Sequence, residues 1–369
     1  MSYVAVKGGS AAIRAAHRLV RKRMRGDPNA PEITPRQMCE QMHLGVDRVM
    51  AEASLYDADL AARAMLQAQG DMIEAIFLLR AYRATLTRFL DSTPLAMDTM
   101  RVQRRISAAF KDLPGGQQLG QTYDYSHRLF GYFDHLETEP EIESGKAEVS
   151  PEPMASMMDL LEKEGLMEPV AVCEPSAENT QQDITQHPLL FPTSRAQRLQ
   201  SLARSDEGFL LSMAYSTQRG YGQNHPFIAE LRMGEVTVEI TPPELGFPIG
   251  IGTITVTECQ MINQFQAKSP EEAAFTRGYG LVFGHSERKA IAMALVDRAL
   301  RAGELSEESL SPAQDEQFVL SHCDNVEATG FVEHLKLPHY VDFQSEIQTL
   351  RHLHKTAAKD GAIGYDDLL

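Results

Sequence analysis

The sequence predicts an α+β protein with a helical N-terminal half and a mixed C-terminal half containing at least one antiparallel hairpin. Three observations predict it. Capped helix starts crowd the stretch from Thr34 to about Phe89, a polar, proline-containing stretch follows between about Glu137 and Pro188, and beyond it apolar residues alternate with period two. The expected organisation is a mainly helical region over 1–136, a variable, partly disordered insertion or linker over 137–188, and an α+β region over 189–369.

Each element has its own justification. Tyr3-Val4-Ala5-Val6 reads as a short strand, Lys7-Gly8-Gly9 as a turn, and Ile13, Ala16 and Val20 as one stripe of a helix. The residues before Asp27 include no acid and carry Arg14, Arg18, Arg21, Lys22, Arg23 and Arg25, a composition shared with organellar transit peptides. Thr34-Pro35-Arg36-Gln37 supplies an N-cap hydroxyl, a first-turn proline and a glutamine able to reach back. Asp71 after Gly70 starts another of the three or four helices expected here. In that helix Ile73, Ile76, Phe77, Ala81 and Ala84 form the expected buried stripe, with Arg80 on or beside it.

A short helix is expected at Met154 to Leu166 inside the insertion. Val236, Val238 and Ile240 alternate with Thr237, Glu239 and Thr241 as a half-buried strand does, and Ile249 to Met261 pairs back across the turn Pro242 to Pro248. Ser286 to Ala302 reads as a helix ending near Gly303, and Asp342 to Lys359 as another.

Charge narrows the functional classes. With 35 Lys plus Arg against 51 Asp plus Glu, the formal net charge is −16, which disfavours a nucleic-acid surface and requires any polyanionic ligand to find a local basic pocket. Cys39, Cys173, Cys259 and Cys323 show no paired spacing, so neither a disulfide framework nor a zinc ribbon is indicated. No apolar run nears the roughly 20 residues that a membrane span needs, and no signal-peptide pattern opens the chain. The expectation is a cytoplasmic protein with no membrane association.

Several motifs carry chemistry. Arg-Gly-Tyr-Gly occurs at Arg219, Gly220, Tyr221 and Gly222 and again at Arg277, Gly278, Tyr279 and Gly280. Glycines let backbone amides approach an anion, arginine grips phosphate, and tyrosine stacks on a base, although two ordinary glycine turns fit the same residues. Arg104 and Arg105, with Gly115-Gly116, Tyr123 and Asp124, make a third basic, glycine-containing stretch. Arg80 is either salt-bridged along the core or directed at phosphate. His334 and His339 flank Pro338, with His322 upstream, and can converge on a borderline metal such as zinc; solvent-facing or core histidines are the plainer reading of the spacing. Asp324, Glu287 and Glu258 are the nearby carboxylates for charge stabilisation or proton transfer at a sugar-base bond.

At these residues the chain resembles the PhnI family of the bacterial carbon-phosphorus lyase system. The resemblance lies in Glu74-Ala75-Ile76-Phe77-Leu78-Leu79-Arg80-Ala81-Tyr82-Arg83, Ser216 to Gly222, Arg277 to Gly284 and His334 to Phe343. It is weak over Glu137 to Gln182 and after about Leu350. It implies a subunit of the machinery that displaces adenine from ATP with methylphosphonate, giving ribose 1-methylphosphonate 5-triphosphate, and a nucleosidase activity on purine nucleotides, ATP or GTP, with magnesium. It also implies PhnG, PhnH, PhnJ and PhnL as partners and a zinc at the positions matching His334 and His339. Arginine roles in holding triphosphate, at Arg219, Arg277 and Arg80, are inferred from chemistry alone. The alternative is a scaffold subunit that docks the radical-SAM lyase subunit and completes a shared metal site without catalysis of its own.

Overall fold

The computed structural model describes residues 7–131, 155–169, 183–221, 225–267 and 269–360. The expected strand at Tyr3–Val6 and most of the 137–188 insertion lie outside the described residues. The chain divides into two compact units, one of residues 33–325 and one joining 1–32 to 326–369.

In the larger unit, four helices follow one another: α2 (Pro35–Gln41), α3 (His43–Ala53), α4 (Ala58–Gln67) and α5 (Met72–Arg83). Their starts obey the capping chemistry read from the sequence. Thr34 Oγ1 accepts from the Gln37 amide while the Gln37 side chain accepts from the Thr34 amide, and Asp71 accepts from the Ile73 and Glu74 amides. The face that α5 buries differs from the expected stripe: Ala75, Ile76 and Leu79 are inside, whereas Ile73 is 38% exposed and Ala81 and Ala84 face out. Small Ala75 permits close approach of α3 and α4, and the bulkier residues remain at the margin.

The sheet has four antiparallel strands in the order β1 (Arg101–Ile106), β2 (Phe227–Ile240), β3 (Ile249–Gln266) and β4 (Ala274–Phe283). β2 and β3 form the expected hairpin, in register from Phe227 opposite Ile262 to Ile240 opposite Ile249. The insertion helix is α6 (Met157–Lys163), capped by Ser156. α7 (Arg195–Arg204), α8 (Glu207–Ser216), α9 (Glu287–Leu300) and α10 (Glu316–His322) complete the unit. Leu202, Leu210, Leu231, Cys259, Met261 and Met293 centre the main core between these helices and the sheet.

Gly278 and Gly280 explain how α9 lies so close to β4. A Cβ on either would stand 2.1 or 2.0 Å from the Ala294 or Ala290 carbonyl oxygen, so only glycine admits the helix backbone. The Arg277 glycines therefore belong to a strand interior. The expectation that they form a turn or phosphate loop is corrected.

The smaller unit contains α1 (Gly9–Arg25), α12 (Tyr340–Asp360) and most of α11 (Asn325–Glu333). α1 has no buried residue: Ile13, Leu19 and Val20 are exposed, as are Phe331, Val332, Val341 and Phe343 of the C-terminal part. Among the described residues no helix is long and apolar enough to cross a membrane.

Candidate functional site

Successive residues of a strand point to opposite faces, and this separates the charges that look paired in the sequence. Arg104 and Arg105 are almost fully buried in β1. Arg104 binds Glu287, Asp124 and the Leu119 carbonyl, whereas Arg105 binds Glu230 and the Pro114 and Ala155 carbonyls. The two cannot act together on one phosphate. Tyr123 is exposed on the loop beyond β1.

Glu258 is likewise committed. Arg232, directly opposite on β2, donates to Oε2, and the Tyr279 hydroxyl donates to Oε1 at 3.0 Å. Burial, then the neighbouring Glu258, hold the Tyr279 hydroxyl well above its ordinary pKa. Arg277 donates from Nη2 to Glu162 at 2.8 Å and to the Glu168 carbonyl at 2.7 Å. Arg105, Glu230, Arg232, Glu258 and Tyr279 thus form a buried ladder across the sheet, which accounts for residues that the sequence offers as ligands or catalysts.

Arg219 differs. It lies in the single π-helical turn Thr217–Tyr221 at the end of α8, is exposed, and places its guanidinium carbon 5.8 Å from the Tyr215 ring centroid. The side chain of Tyr221 and the whole of Gly222 lie outside the described residues.

Arg80 projects from the buried side of α5. Its Nη1 grips both Asp324 oxygens at 2.7 and 2.6 Å, and its Nε and Nη2 hold the Glu52 carbonyl. Arg204, at the end of α7, approaches the same Asp324 at 3.3 Å. Arg83, one turn beyond Arg80, donates only to the Ala53 and Ser54 carbonyls, and among the described residues no carboxylate lies within ion-pair distance of it. Burial, then Arg204 and Arg80, push the Arg83 pKa down, as crowding of like charge requires. Sequence reading missed Arg83 and Arg204; three-residue spacing from Arg80 was the available signal for Arg83.

In the smaller unit, His334 and His339 are exposed, with ring centroids 5.6 Å apart and planes at 73°. Nδ1 of His334 faces the Phe331 carbonyl, and Nδ1 of His339 faces the Leu337 carbonyl at 2.6 Å. A carbonyl only accepts, so each Nδ1 carries the proton and each Nε2 offers a lone pair. Two imidazoles on one tetrahedral zinc have centroids about 5 Å apart, given Zn–N near 2.1 Å, so the pair fits half of such a site. His322 instead stacks on Phe318 in its own helix and bonds the Phe318 carbonyl. Among the described residues no group of three or more His, Cys, Asp or Glu side chains is placed to hold a metal ion.

Comparison of the sequence with known proteins gives the family. The profile of the bacterial phosphonate metabolism protein PhnI matches residues 2–357. The chain belongs to the PhnI family. It is 56% identical over 366 residues to the alpha-D-ribose 1-methylphosphonate 5-triphosphate synthase subunit PhnI of Rhizobium meliloti (strain 1021), covering 99% of this chain and 98% of the relative. It is 54% identical over 352 residues to the subunit of the same name from Escherichia coli (strain K12), covering 95% and 98% respectively. The buried ladder, the imidazole pair and the arginines around Asp324 are therefore features of a PhnI family member, whose named relatives are synthase subunits.

Proposed function

We propose that this chain is the subunit of a ribose 1-methylphosphonate 5-triphosphate synthase that takes part in displacing adenine from ATP, and that by itself it releases the base from ATP or GTP as a nucleosidase. The near-full-length match to relatives named as synthase subunits carries the synthase part of this reading. In the reaction the bond from C1 of the ribose to the base nitrogen breaks, and the base leaves with the electron pair and takes up a proton. A phosphonate oxygen, or water when the chain acts alone, then forms the new bond to C1. Positive charge grows at C1 on the way, so fixed anionic and dipolar groups stabilise the transition state.

Of the three carboxylates considered above, Asp324 alone joins an arginine cluster that includes one guanidinium without a carboxylate partner among the described residues. All three are engaged by arginine, Glu258 by Arg232, Glu287 by Arg104 and Asp324 by Arg80 and Arg204, so the guanidinium free of a carboxylate among the described residues sets Asp324 apart. Asp324 is thus the carboxylate best placed to balance charge at C1. His334 and His339 would hold a zinc, with its remaining ligands supplied by PhnJ. When bound there, zinc would supply a positive charge that attracts an anionic oxygen of the substrates. The exposed apolar residues of α1, α11 and α12 offer surface for PhnG, PhnH, PhnJ and PhnL to bury. Partners exclude water and so divert the ribosyl group to methylphosphonate.

Phosphorus NMR of the chain with PhnG, PhnH, PhnL, ATP, magnesium and methylphosphonate tests the transfer. A new phosphonate-ester resonance with loss of free methylphosphonate is expected. Unchanged methylphosphonate in the full mixture overturns the synthase reading.

A further inference from the structure

Two cavities of about 270 Å³ occur in the larger unit. That volume is just under the roughly 300 Å³ at which ligand pockets usually begin, enough for a base and sugar with charged groups left at the mouth. The first includes Thr217, Gln218, Asn263 and Arg298. Its arginine is gripped by Glu307 through both terminal nitrogens, and Glu308 lines the same space, so it offers no surplus of positive charge to an anion.

The second has the opposite character. Val256 of β3 and Leu281 and Phe283 of β4, which share one face of the sheet, make an apolar floor, and Ala203 and Arg204 of α7 and Ser54 stand among its lining residues. The Ser54 carbonyl is one of the two that hold Arg83, and Arg204 is the strongest neighbouring charge acting on Arg83. Arg80, Arg83 and Arg204 gather around the carboxylate of Asp324, while Asp183, which also acts on Arg83, is engaged by Arg88, and Glu52, which also acts on Arg80, by Arg48. In a chain of net charge −16, such a cluster beside an apolar floor selects an anion with a flat, weakly polar body. Phe283 already makes an edge contact with Tyr56, ring centroids 5.4 Å apart, which fixes part of the floor.

We propose that this pocket between α3, α7 and the sheet binds a purine nucleotide, its base on the apolar floor and a phosphate at Arg83 and Arg204. The assignment rests on the nucleotide reading above and gives that reading a location. Arg83 accepts the phosphate without breaking an Asp324 contact, because it makes none, whereas Arg204 shares its guanidinium between the phosphate and Asp324.

Isothermal titration of the full chain with ATP, and separately with inorganic triphosphate, decides it. Arg83→Gln and Arg204→Gln each weaken ATP binding at least tenfold, the expected loss of a charge-assisted hydrogen bond of about 1.5–3 kcal/mol. Ala203→Phe, which places a ring from α7 in the space over the floor, weakens ATP but leaves triphosphate binding unchanged. Arg83→Gln keeps the far-ultraviolet circular dichroism and the cooperative unfolding of the wild type, which separates lost binding from lost folding. ATP binding that survives all three substitutions, or that is lost only on Arg219→Gln, overturns the pocket and leaves the proposed function standing. Failure of the wild-type chain to bind ATP overturns both. Loss on the arginine substitutions with none on Ala203→Phe overturns the placement of the base.

Discussion

Lys289 occupies the third position of α9 with no exposed surface, and among the described residues its Nζ has no hydrogen-bond partner, a carboxylate oxygen of Glu52 standing at 3.9 Å. Burial pushes its pKa down from 10.5 to about 8, against the opposing pull of Glu52 and Glu207. Below about pH 8 the amine is charged in both states and its burial cost is fully present. Between 8 and 10.5 the unfolded chain holds a proton that the folded chain has lost, so stability rises with pH across this window. The span of 10.5 − 8 = 2.5 units corresponds to about 3 kcal/mol. Urea unfolding of the wild type and Lys289→Met over this range should show the wild type gaining on the variant by about that amount; parallel stability curves would contradict the linkage. Residue-level roles were the least legible part of the sequence. Arg104, Arg105, Arg277, Glu258 and Glu287 looked like ligands or catalysts because sequence displays a charge without its partner. The partners lie on other strands and helices, up to 183 positions away for Arg104 and Glu287.

At the level of elements, chemistry confined to neighbouring residues was readable. The N-caps at Thr34 and Asp71, the β2–β3 hairpin and the last long helix all follow from local signals. The Gly278 and Gly280 stretch was not, because glycine at alternate positions signals a turn locally and a close helix approach only once α9 is in place. Gly278→Ala and Gly280→Ala must push α9 off the sheet, since their Cβ atoms would overlap backbone carbonyls. Each should cost about 3 kcal/mol or more, in the range of overpacked cores with backbone shifts. Gly303→Ala, whose Cβ would meet nothing within 4 Å, serves as the control and should change stability by under about 0.5 kcal/mol. Chemical denaturation of the three variants checks this, and equal midpoints would show that α9 yields easily.

Across the whole molecule, family membership was legible from long strings such as His334 to Phe343, and the structure adds why the two imidazoles suit a metal: both rings are held by carbonyls at Nδ1. Zinc should be retained by the chain together with PhnJ and lost when His334 and His339 are both changed to alanine. Unfolding temperature should not move, because both rings are exposed. Metal analysis after dialysis measures the first, and full zinc retention by the double variant would remove the pair from the site. The central claim is that the chain carries nucleosidase chemistry of its own and that its partners redirect it. It is tested most directly by chromatography after incubating the purified chain with ATP and magnesium. The account predicts free adenine and ribose 5-triphosphate from the chain alone, and the phosphonate product once PhnG, PhnH, PhnL and methylphosphonate are added; adenine appearing only with the partners present would contradict it and leave the chain a scaffold.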